Sequence, residues 1–83
     1  MRYFCYTADG RRIRADTGQE LPDHQAAQRY AVTVATEILQ DEPLIIWGGD
    51  DARVQITDER GLLLFEVVTF ADVAPAGESA EPR

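Results

Sequence analysis

The 83-residue chain has no lysine, one serine (Ser79), one histidine (His24) and one cysteine (Cys5). Each scarcity removes a class of chemistry. Without lysine there is neither a Schiff base nor a phosphate-loop lysine. One serine near the end and one histidine leave little from which to assemble a nucleophile and its base. A lone cysteine excludes an intrachain disulfide, and a reduced thiol is its simplest reading. The apolar run Leu44–Trp47 falls far short of the roughly 20 residues that span a bilayer. No secretory leader is expected, because Met1–Thr7 is short and polar. These absences lead to the expectation of a cytoplasmic, non-enzymatic protein that needs no cofactor or metal.

What is present describes a small soluble domain. The chain is 45% hydrophobic and 28% charged, a globular composition. A domain of this size buries only about 60% of its unfolded surface, so the core is thin. The net charge of -7 is unevenly spread. Residues 1–14 carry four arginines against Asp9 alone, and residues 15–83 carry four arginines against fourteen carboxylates. An acidic body is a poor binder of nucleic acid, whose affinity comes mainly from neutralised phosphates. It suits a protein partner better, and the dipolar layout would steer association.

Residues 2–7 are rich in aromatics and read as a strand. Asp9-Gly10 suits a type I′ turn into a return strand over 11–15. That turn pairs Tyr6 with Ile13, Phe4 with Ala15 and Cys5 with Arg14. Alternation then places Phe4, Tyr6 and Ile13 on the core face, and Tyr3, Cys5, Thr7, Arg12 and Arg14 on the other. Asp16–Pro22 reads as a loop. Asp23 is a good N-cap for a helix running to about Gln40, with Ala27, Tyr30, Ala31, Val34, Ala35 and Ile38 as its apolar stripe. Pro43 prevents its continuation. Asp41–Ala52 reads as an irregular or extended connector with Trp47 partly buried.

A second hairpin follows, Arg53–Thr57 and Leu62–Phe70 around Asp58-Glu59-Arg60-Gly61. The simplest register sets Ile56 across from Leu63, Val54 from Phe65 and Arg53 from Glu66. It turns Val54, Ile56, Leu63, Phe65 and Val67 inward, and Arg53, Gln55, Leu64, Glu66, Val68 and Phe70 outward. After Val73 no apolar side chain larger than alanine or proline remains. Residues 74–83 therefore read as a disordered tail behind a single domain over 1–73. The order is ββαββ, an α+β two-layer sandwich with one helix on one sheet face.

The individual candidate residues have bland readings. His24 reads as a solvated first-turn histidine. Cys5, with Arg14 as its cross-strand neighbour, reads as a small apolar interface side chain rather than a thiolate nucleophile. The carboxylates of Gly48-Gly49-Asp50-Asp51 and Asp58-Glu59 lack the alternating ligand spacing of a calcium loop and read as solvated turns. The open sheet face is the better candidate. It would carry Tyr3, Cys5, Arg12, Arg14, Leu64, Val68 and Phe70, a mixture of aromatic, apolar and arginine side chains typical of protein interfaces.

The string Arg2-Tyr3-Phe4, Asp9-Gly10, Glu20-Leu21-Pro22-Asp23, an alanine-rich helix, Val54-Gln55-Ile56-Thr57-Asp58-Glu59-Arg60-Gly61 and Phe70-Ala71-Asp72 resembles a family of short uncharacterised bacterial proteins, a domain of unknown function. The resemblance spans residues 1–73 and implies no activity. Members often read Tyr-Phe-Phe-His where this chain has Tyr3-Phe4-Cys5-Tyr6, so any role of that histidine is lost here. A weaker resemblance is to the HicB-type antitoxin fold, where a Met-Arg-Tyr strand and hairpin precede an alanine-rich helix. It implies a regulatory partner of a small basic protein. The first expectation is thus an interaction module that self-associates or binds a protein. The antitoxin-like partner is the alternative, and an enzyme using Cys5 or paired carboxylates comes last.

Overall fold

A computed structural model describes residues 1–9, 12–15, 18–48 and 51–78, with backbone alone for 9, 12–15 and 48. The elements are β1 (Arg2–Asp9), β2 (Arg12–Ala15), β3 (Gln19–Glu20), α1 (His24–Asp41), a 3₁₀ turn (Ile45–Gly48), β4 (Ala52–Thr57), β5 (Leu63–Thr69) and α2 (Pro75–Glu78). The fold is α+β. An antiparallel sheet of order β2-β1-β4-β5 carries α1 on one face, and β3 lies beside β1 on the same edge as β2.

Helix α1 follows its periodicity. Asp23 accepts a hydrogen bond from the Ala26 amide at 2.9 Å, satisfying a first-turn donor. The Glu42 amide closes the far end on the Ile38 carbonyl, ahead of Pro43. Ala27, Ala31, Ala35 and Ile38 are the buried stripe, with Tyr30 and Val34 beside them. They pack against Ala52, Val54 and Ile56 of β4 and against Phe65 and Val67 of β5. Small alanines let the helix approach the sheet closely, so the core is thin and tight.

Both hairpins slip by two residues from the expected registers. In the first, Tyr6 pairs with Ala15, Thr7 with Arg14 and Asp9 with Arg12. In the second, Val54 pairs with Val67 and Ile56 with Phe65. The cause in the second is Asp58. Its buried carboxylate accepts from the Arg60 amide at 2.8 Å and the Leu62 amide at 3.0 Å, which lengthens the loop before β5 starts. Gly61 completes that loop at φ +84°, a conformation that favours glycine. The ladder then skips a residue. Thr57 pairs with Leu63, and Leu64 is left without a partner at a β-bulge.

A slip of two keeps every side chain on its face, so a different contact decides what β1 buries. That contact is the β1–β4 ladder, which pairs Cys5 with Ile56 and Thr7 with Val54. Tyr3 and Cys5 therefore lie under the helix, nearly inaccessible, and Phe4 and Tyr6 face away. This reverses the expected orientation of β1. The bulge reverses a second pair, since Leu64 packs on the core while Leu63 is exposed.

Three smaller differences concern the connectors. Part of the expected loop 16–22 forms β3, which pairs Arg2 with Glu20 and Tyr3 with Gln19. The 41–52 connector makes a 3₁₀ turn in which Ile46 reaches the core, while Trp47 is 52% exposed. In the expected tail, Pro75–Glu78 form one exposed helical turn, and residues 79–83 lie outside the described residues.

Candidate interaction face

The face away from α1 is built from alternate residues of β1, β4 and β5. Two of its cross-strand rows follow from the ladders: Tyr6–Gln55–Glu66 and Phe4–Thr57–Leu63. Ala8, Arg53 and Val68 form a third. Its centre is polar and internally bonded. The Arg53 guanidinium donates to Asp51 at 3.0–3.2 Å and reaches Glu66 Oε2 at 3.5 Å. Gln55 Nε2 donates to the same Glu66 oxygen at 2.7 Å. The expected pairing of Arg53 with Glu66 thus forms, but diagonally rather than directly across. Hydrogen bonding to Arg53 holds the Asp51 carboxyl below its ordinary range, and Asp51 in turn raises the arginine.

One end of this face is covered. Gly18, at φ +99°, lies against Arg2 and Phe4, and a Cβ there would stand 2.8 Å from Arg2 Nε and 3.0 Å from Phe4 Cε2. Beside it the N-terminal ammonium pairs with Glu20 at 2.6 Å. That hydrogen bond and charge depress the Glu20 carboxyl, with a smaller contribution from Arg2. The Phe4 ring therefore has a protein cover that the sequence did not advertise.

The other end is uncovered. Among the described residues β5 has only β4 as a strand neighbour, so its second edge is a sheet edge. Among the described residues ten large hydrophobic side chains are exposed, and five of them, Leu62, Leu63, Val68, Phe70 and Val73, belong to β5 or its flanks. Phe70 is 73% exposed and Val68 42%. Edge strands are normally protected by charge, proline or a covering segment. Here Glu66 is the one charged residue within β5, and it is bonded to its own sheet.

The expected interaction residues therefore separate. Val68 and Phe70 face outward as expected. Tyr3, Cys5 and Leu64 belong to the helix-covered side. The side chains of Arg12 and Arg14 lie outside the described residues, and their backbone positions oppose Asp9 and Thr7. Leu63 and Tyr6 join the outer face unannounced. The β1–β4 ladder, a non-local contact, turns Tyr6 outward, and the bulge beside the Asp58 loop turns Leu63 outward.

Where α1 begins, a polar pair links the helix to β1. The Tyr3 hydroxyl lies 2.8 Å from His24 Nδ1, and the imidazole stands edge-on to both Tyr3 and Phe65. Which of the two groups donates depends on the imidazole tautomer. Burial raises the Tyr3 hydroxyl above its ordinary range, and nearby Asp23 adds to the shift. Cys5 is buried on the helix-covered side of the sheet. Among the described residues no group of His, Cys, Asp or Glu is placed to hold a metal ion, and no helix is long and apolar enough to cross a membrane.

Comparison with known families gives one result. The family described as Domain of unknown function (DUF6894) matches residues 2–71. No curated protein and no solved structure matches the chain.

Proposed function

Taking as premise that the chain belongs to the DUF6894 family, whose description assigns no activity, we propose that it is a non-enzymatic interaction module. It binds a protein through the outer sheet face and the edge of β5. The observation that carries this reading is that, among the described residues, half the exposed large hydrophobics collect on one uncovered strand and its flanks. Exposed apolar side chains gathered on one strand and its flanks mark an interaction site, and aromatic anchors dominate the energetics of such sites. The burial of the one thiol favours binding over catalysis.

The test is photo-crosslinking from a reactive residue placed at Val68, with Gln28 on the exposed side of α1 as the reference position. A discrete protein adduct from position 68 and none from position 28 is the expected result. Equal labelling from both positions, or none from either, refutes the reading.

A further inference from the structure

We draw no further inference here: the strongest candidate, the edge of β5 that no described strand covers, with Leu63, Val68 and Phe70 exposed beside it, is flanked by charges of both signs, Glu59 and Arg60 before it and Asp72 after it, and nothing in the structure shows what covers it.

Discussion

Cys5 can serve as a reporter of the whole fold, because it is the only thiol and only 3% exposed. Its register partner on β4 is Ile56, itself 0% exposed and central to the core. A domain stability of about 0.05–0.15 kcal/mol per residue gives roughly 4–10 kcal/mol for about 70 residues. Each 1.4 kcal/mol is tenfold, so a thiol that reacts only from the unfolded chain should label at least about a thousandfold more slowly than in urea. Replacing Ile56 by alanine in this packed site should cost about 2–5 kcal/mol. Native-state labelling by a disulfide reagent should then accelerate at least about 30-fold. Leu63→Ala, on the opposite face, should change it less than about threefold, as for other surface substitutions. Urea unfolding of the same variants supplies the control. The acceleration should equal the equilibrium loss, whereas a larger acceleration would report local access through the cavity. Wild-type labelling near the rate of an unfolded thiol would refute the orientation of β1.

Three further outcomes follow from local geometry. Gly18→Ala should destabilise by more than about 1 kcal/mol in urea melts, since it adds close contacts with Arg2 and Phe4 to an unfavourable φ. Gly61→Ala, at a positive φ but in open space, should cost less. Leu64→Ala should lower the urea midpoint clearly more than Leu63→Ala, and the reverse order would remove the bulge. Asp58 is depressed below its ordinary carboxyl value of 3.8 by the Leu62 amide first, then by the Arg60 amide. Its contribution is complete above that value and is lost as pH falls through the lower folded one. Asp58→Asn should flatten the acid limb of a stability-versus-pH curve, and an unchanged limb would refute the role of the carboxylate.

How much of this was legible depended on whether the deciding contact was local. Helix α1 could be read because its stripe, the Asp23 cap and Pro43 all lie within one stretch. The inward set on β4 could be read because Val54 and Ile56 alternate with Arg53 and Gln55. β1 could not be oriented from its own residues. Both parities carry aromatics, Tyr3 against Phe4 and Tyr6, and hydropathy favours the wrong pair. Two non-local features decide it: the ladder to β4 and the Gly18 segment that shelters Phe4. On the outer face Val68 follows from simple alternation, whereas Leu63 and Leu64 exchange places at a bulge beside the Asp58 loop, a local device that alternation alone does not reveal.

The thin core and the apolar edge have a common origin. Alanines at 27, 31 and 35 bring α1 down onto β4 and β5, and a close helix leaves no room on that side for more large side chains. Val68, Phe70 and Leu63 consequently lie where α1 cannot reach them. If they served the fold alone, polar residues would stand there at little cost in stability, and an edge strand gains protection from charge. Fold stability therefore does not account for the apolar outer side of β5, which is why the proposed interaction is placed there. The prediction is asymmetric: polar substitutions at Val68 and Phe70 should leave the urea midpoint nearly unchanged and remove binding.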